Sequence, residues 1–348
     1  MSITIRDVAK LAGVSVSTAS LALNDRDYVS PETKAKVLEA AKKLGYIPSV
    51  IARRFATGKT NTIGLIAFIS HEHPLGGFYM PLILGVIDTV GKANYSFQLD
   101  IKGEDKEGVL NKKEILVRIA KQKMLDGLLI LSHWLLHFED ISGLLELSFP
   151  FVILNGDIPE HRVNCVEIDN FAGACKAVEY LISLGHKRIG HISGPVDQKE
   201  AQDRLMGYIE TLHHHQIPLD EELICYGDFH KKSGYEGMKK LLSLSSPPTA
   251  VFVANDNMCL GAMEAVKEEG LSVPKDISLT GFDDIEAAAH MSSPLTTVRQ
   301  PRYTLGQKAA ELLLEVLKDT NAQEPKRIVL DTELVIRDSC RSCSQQKR

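Results

Sequence analysis

No apolar run in the 348 residues approaches the ~18 that a membrane-spanning helix needs. Cysteine is scarce and scattered, at positions 165, 175, 225, 259, 340 and 343, which suits a reducing compartment rather than a disulfide framework. Cys340 and Cys343 form a C-x-x-C, but no second pair follows, so a frayed polar end is expected there instead of a metal or redox site. The opening residues Met1–Asp7 carry Arg6 and Asp7 with no apolar stretch behind them. No secretory signal is read, and a cytoplasmic location is expected.

Catalytic signatures are missing too. There is no nucleophile elbow and no pair of carboxylates spaced for acid–base work. Gly58-Lys59-Thr60 ends like a phosphate loop, yet Arg53 stands where its first glycine belongs. The consecutive His213, His214 and His215 face different ways around a helix, and His71, Glu72 and His73 lie in a loop. Neither cluster is expected to hold a metal. An enzyme is not expected, nor any cofactor.

What is present is unevenly distributed. The net charge is −5, but residues 1–60 hold ten Lys/Arg against five Asp/Glu, so this head carries +5 and the rest −10. A small basic head on an acidic body suits local contact with phosphates.

The head reads as three short helices. Thr4-Ile5-Arg6-Asp7 is a capping pattern, followed by Ile5, Val8, Ala9 and Ala12 at helical spacing. Gly13 supplies a turn, and Ser15 can cap a second helix running to about Asn24. Thr18, Ala19, Ala22 and Leu23 are small or apolar and allow close packing, leaving Val16, Ser17, Ser20 and Leu21 for the outer side. Two helices across a glycine turn make a helix-turn-helix, whose second helix can enter a major groove. Ser30-Pro31 opens a third helix with Val37, Leu38, Ala41 and Leu44 inward and Gly45 at its end. The basic segment from Pro48 to Gly58 is too short to be helical alone and needs a folded partner or DNA.

From Ile63 onward, short apolar runs alternate with amphipathic stretches. Strands are predicted at 63–69, 95–100, 127–131, 151–154, 188–192, 250–254 and 277–281. Helices are predicted at 79–91, 111–124, 171–184, 201–214, 233–244, 258–269 and 304–318. This βα alternation implies two doubly wound α/β lobes whose ligands sit at the carboxyl ends of the strands. Asn155, Asn255-Asp256 and Asp283-Asp284 each follow such a run. Singly each is a helix cap; together, with Arg204, they suggest a polar cleft.

The segments Val8–Ser15, Ser17–Ser20, Leu23-Asn24, Val29-Ser30 and Leu44–Pro48 resemble the head of the lactose-repressor (LacI/GalR) family. The resemblance continues through Val166–Gly173, Leu184–Gly190, Ser193–Pro195, Pro248–Ala250, Ala254–Asp256, Gly281–Asp284, Pro294–Val298 and Leu334–Arg337. It implies a helix-turn-helix DNA-binding domain at 1–47, a hinge at 48–60 and a periplasmic-binding-protein-like effector and dimerisation body at 61–340, before a polar tail at 341–348. The first lobe would hold about 61–165 and 300–324 and the second about 166–299 and 325–340, with crossings near 165, 299 and 324.

By that resemblance Val16, Ser17 and Leu21 read bases of double-stranded operator DNA. Thr4, Ser15, Thr18, Ser20 and Asn24 fall where phosphate and packing contacts are made, and Arg53 belongs to the DNA-binding hinge. Phe55 stands where the family has a leucine wedge for the minor groove. Effector contacts would fall at Phe78, Tyr79, Asn155, Arg204, Phe229, Asn255 and Asp283. The implied function is an operator-binding regulator, a repressor, controlled by a small molecule. A sugar leads and a nucleobase is the alternative. A transport solute-binding protein is the competing reading that the body alone permits. The polar end after Arg337 carries no leucine heptad, so a homodimer is expected rather than a tetramer.

Overall fold

The structure, a computed structural model, describes residues 3–23, 28–46, 59–70, 78–104, 111–132, 136–156, 158, 163–318 and 324–345. The head is three helices, α1 (Ile5–Ala12), α2 (Val16–Leu23) and α3 (Pro31–Leu44). The Asp7 carboxylate accepts from the backbone N–H and the hydroxyl of Thr4, at 2.9 and 2.8 Å, which fixes the start of α1. Gly13, at φ 68, turns the chain, and Ser15 Oγ then accepts from Thr18 N at 3.0 Å to open α2. Val8, Ala9, Ala19, Ala22, Val37, Ala40 and Ala41 form the buried core. The alanines of α2 let its backbone approach both neighbours. Leu38, expected inside, is 48% exposed, and Ala40 takes the inward position instead.

The body builds two six-stranded sheets. The first contains β1 (Thr62–Ser70), β2 (Ser96–Glu104), β3 (Gly127–Ser132), β4 (Phe151–Leu154), β5 (Cys165–Ile168) and β11 (Arg327–Leu330). Its spatial order is β2-β1-β3-β4-β5-β11, all parallel. The second contains β6 (Ile189–Ser193), β7 (Ile224–Tyr226), β8 (Ala250–Val253), β9 (Ser278–Asp283), β10 (Thr296–Arg299) and β12 (Glu333–Val335). It repeats the pattern as β7-β6-β8-β9-β10-β12, with only β12 antiparallel. In each sheet the order reverses beside the first strand, leaving a crevice at its carboxyl end.

Helices cover both sheets. On the first lie α4 (Met80–Lys92), α5 (Lys112–Gln122), α6 (Phe138–Glu146) and α11 (Arg302–Lys318). On the second lie α7 (Asn170–Ser183), α8 (Lys199–His214), α9 (Lys231–Leu242) and α10 (Asp256–Glu268). Two helix pairs approach so closely that only glycine fits. A Cβ on Gly85 would lie 2.1 Å from Tyr303 O of α11, and one on Gly261 1.9 Å from Lys231 O of α9. Among the described residues no helix is long and apolar enough to cross a membrane.

Strand pairing shifts two of the expected crossings. Residues 165–168 pair with β4, and 327–330 pair with β5, so the chain leaves the first sheet after Ile168 and returns to the second after Leu330. Which sheet captures a four-residue run depends on its backbone partners, which the residue pattern does not carry. The tail also departs from a frayed end. Ser339 is fully buried and donates to Leu279 O at 2.6 Å, Arg341 O accepts from Ser278 Oγ, and Cys343 N donates to Leu184 O. Burial pushes the Cys340 thiol up to about 11, leaving it protonated and unreactive.

Candidate functional site

The carboxyl ends of the two sheets bring a set of buried charges together. Arg204, on α8, is 3% exposed and has all its edges used among the described residues. Its Nε and Nη2 donate to Asn170 Oδ1 at 3.0 and 2.8 Å, and Nη1 donates to Ala254 O at 2.6 Å. Its flat face lies 3.8 Å from the Phe282 ring centroid, with Phe229 5.6 Å away.

Asp283 ends β9 at φ 120, a left-handed conformation that costs strain in a residue with a Cβ. It faces Arg204 Nη1 at 3.8 Å and Arg302 Nη2 at 3.2 Å, and accepts from Gln300 Nε2 at 2.6 Å. Below it, Asp256 accepts from Thr297 Oγ1 and from Ile285 N. Burial first, and then the Asp283 charge, push Asp256 up to about 8. Burial raises the Asp283 carboxyl as well, while the facing Arg302 and Arg204 guanidiniums act to lower it.

Asn255 caps α10, accepting from Met258 N at 2.9 Å while donating to Phe229 O at 3.0 Å. Its amide is therefore committed to holding the Phe229 loop, and the helix-cap reading fits it. Phe229 itself, at φ 67, covers Gly194, where a Cβ would lie 2.3 Å from the ring.

The first sheet supplies the opposite wall. Asn155 follows β4 at φ 56 and donates from Nδ2 to Glu200 Oε1 on α8 at 2.8 Å. Its Oδ1 is buried with no partner among the described residues. Phe78 and Tyr79 meet edge-on with centroids 4.8 Å apart. Burial, reinforced by the Glu200 charge, raises the Tyr79 hydroxyl and keeps it protonated. Burial also pushes Glu200 up to about 7. Arg302, at the start of α11, lies over the Phe78 ring at 3.2 Å and donates from Nη1 to Phe78 O at 3.0 Å.

All seven residues expected at the effector site thus lie around this cleft. Four polar ones were missed. Asn170, Gln300 and Arg302 follow strands β5 and β10, the same position that singled out Asn155 and Asp283. They escaped because neither strand was recognised. Glu200 lies on a helix, where no strand-end rule applies.

On the head, Val16 and Leu21 are 44% and 39% exposed, and Ser17 is exposed beside them. Ile3, Leu11, Tyr28 and Leu38 of the head are at least as exposed, so exposure by itself does not set Val16 and Leu21 apart. Ser15 and Thr18 hydroxyls lie 2.8 Å apart and, like that of Thr4, serve helix starts. Ser20 is half-buried on α2. Asn24, Arg53 and Phe55 lie outside the described residues.

Comparison with known proteins agrees with both parts. Residues 4–49 match the family of bacterial regulatory proteins, lacI family, and residues 178–340 match the periplasmic binding protein-like domain. The chain is 35% identical over 339 residues to the probable HTH-type transcriptional repressor ExuR of Bacillus subtilis (strain 168), covering 97% of this chain and 98% of that one. The chain belongs to the LacI family. The solved complex of the transcriptional regulator CelR with cellobiose superimposes on this LacI-family chain with a TM-score of 0.72 at 34% identity, covering 97% and 100% of the two chains. The lac repressor dimer bound to operator and the anti-inducer ONPF gives a TM-score of 0.80 at 28% identity, covering 98% and 100%. The protein is accordingly a DNA-binding transcription regulator and not an enzyme.

Proposed function

We propose that this LacI-family regulator is a repressor that binds a palindromic operator as a homodimer and is controlled by a sugar held between its two lobes. The observation that carries the reading is the polar cleft closed across the lobes, with Asn155 bonded to Glu200 and Arg302 paired with Asp283. A ligand gripping both walls favours one angle between lobes, and only such differential affinity shifts an equilibrium. The cellobiose bound by CelR supports a sugar as the ligand class. The mixture of carboxyl, amide and guanidinium groups with the Phe229 and Phe78 rings suits a hydroxylated ring.

A row of exposed apolar residues supports pairing with a second copy. Met80, Leu84 and Ile87 line one side of α4, with Tyr303 of α11 and Ile101 of the edge strand β2 also exposed. In the operator complex the lac repressor is a dimer. Val16, Ser17 and Leu21 then read base edges, with Arg53 contacting phosphates and Phe55 wedging the minor groove. A cytoplasmic location fits work on DNA.

The test uses the full chain. Selection from random duplexes should return a palindrome, and a sugar that raises Tm should change the affinity for it. Asp283→Ala should remove that response. A response to sugar that survives in Asp283→Ala at the wild-type concentration would place the pocket elsewhere.

A further inference from the structure

Arg204 and Arg302 are both buried guanidiniums beside Asp283, yet their partners differ. Arg204 makes three hydrogen bonds among the described residues, whereas Arg302 makes one, from Nη1 to Phe78 O. Arg302 is 7% exposed, and its Nε and Nη2 have no hydrogen-bond partner among the described residues. Nη2 lies 3.2 Å from Asp283 Oδ1, an ion pair without hydrogen-bond alignment, and that same oxygen already accepts from Gln300 at 2.6 Å. A guanidinium has five N–H donors, and leaving buried ones unmade is costly. The Phe78 ring covers one face of Arg302, so what remains to be satisfied is its in-plane edge, the edge that forms paired bonds to a carboxylate.

The charges point the same way. Two guanidiniums face one carboxyl group, Asp283. Asp256 is held protonated by burial at neutral pH, and Glu200, pushed up to about 7, carries a charge only in part. The buried cluster has surplus positive charge, and an anion would balance it. An uncharged sugar hydroxyl can accept one bond from Nε but leaves that surplus in place.

We propose that the effector carries a carboxylate and that Arg302 binds it, making Arg302 the residue that selects acidic sugars over neutral ones. This rests on the reading of the cleft as a sugar site and narrows it. The Asn155 Oδ1 atom, also buried without a partner among the described residues, is available on the same wall to accept from a hydroxyl of that ligand.

The experiment measures calorimetric affinity of the full chain for D-glucuronate, D-galacturonate and D-gluconate, beside D-glucose, D-galactose and cytidine. At least one acid should bind, more tightly than its neutral parent. Arg302→Gln should weaken that acid roughly tenfold to hundredfold, the range for hydrogen bonds to charged groups. Arg302→Lys keeps a point charge without the fork and should fall between, which separates recognition from a folding defect. Neutral sugars binding while no acid does would overturn the proposal and leave the sugar reading standing. Binding of cytidine alone would overturn both. An acid bound equally by wild type and Arg302→Gln, or no acid bound at all, also overturns the role given to Arg302.

Discussion

The two lobes share one strand order but contribute to the cleft in different ways. The second lobe presents polar groups that already hold one another: Arg204 is forked onto Asn170, Asn255 is fixed between Met258 N and Phe229 O, and Asp256 sits between Thr297 and Ile285. The first lobe presents Asn155 and Arg302, each with buried atoms that find no partner among the described residues. On one wall these cleft groups bond mainly to one another. The other keeps bonding capacity in reserve for whatever enters. The difference teaches that burial and charge alone do not separate a structural polar residue from a candidate ligand contact; an unspent donor or acceptor facing the cleft adds the distinction.

The largest effect should come from removing the pre-paired cation. Arg204→Met strips Asn170 Oδ1 and Ala254 O of their guanidinium partner and takes one of two cations from Asp283, and should cost about 3–5 kcal/mol, read by urea unfolding. Arg302→Met removes a cation that makes one hydrogen bond and an unaligned ion pair to Asp283, and should cost less than Arg204→Met, because its unmade donors already offset part of what the pair contributes. Equal costs for the two would break the contrast between the walls.

Apolar packing should show no such contrast. Gly85→Ala in the first lobe and Gly261→Ala in the second both drive a Cβ into a backbone carbonyl. Each should lose about 1–3 kcal/mol, since a backbone cannot swing aside as a side chain does. Thermal unfolding of both variants tests this, and a large loss in only one lobe would show that the asymmetry extends beyond polar groups.

Glu200 sits at the seam between the walls, and its titration reports on closure. Its pKa rises from 4.5 to about 7, through burial first and the Asp203 charge next, against Lys199 and Arg204, which lower it. A carboxyl raised on folding favours the native state only while protonated. Its contribution is present below pH 4.5 and is lost as pH climbs through about 7. His191 works in the opposite sense, because burial lowers it to about 4 and its contribution is lost on acidification. Subtracting the Glu200→Gln profile from that of wild type, measured from about pH 5 to about pH 8, isolates the first effect. A difference curve that is flat would mean the carboxyl is solvated and the walls are apart in solution.

The smallest stability change belongs to the head. Val16→Ala and Leu21→Ala remove side chains that already face outward, so unfolding should move by under about 0.5 kcal/mol. The operator preference of each should nevertheless change, as selection from random duplexes would reveal.

Much of this was legible in the residues. Alternation located the long buried strands, and β4 was delimited at both ends, because parallel strands covered on both faces read as continuous apolar runs. The capping patterns at Thr4, Ser15 and Ser30 located the head helices, because a cap is a local bond within four residues. The four-residue β11 carries only the short apolar run Ile328-Val329-Leu330, with none of its residues fully buried, which is too brief to separate from a loop. β7 and β12 are three residues each, too short for a period to show, even though Ile224 and Cys225 of β7 are buried.

What the sequence by itself determined is the local and the periodic: a basic three-helix head, βα alternation, and polar residues at the ends of the recognised strands. Only the tertiary structure decided which sheet captures residues 165–168 and 327–330, and that Arg302 of one lobe faces Asp283 of the other. Those choices depend on backbone pairing and charge balance between segments far apart in the chain. No window of neighbouring residues contains both partners.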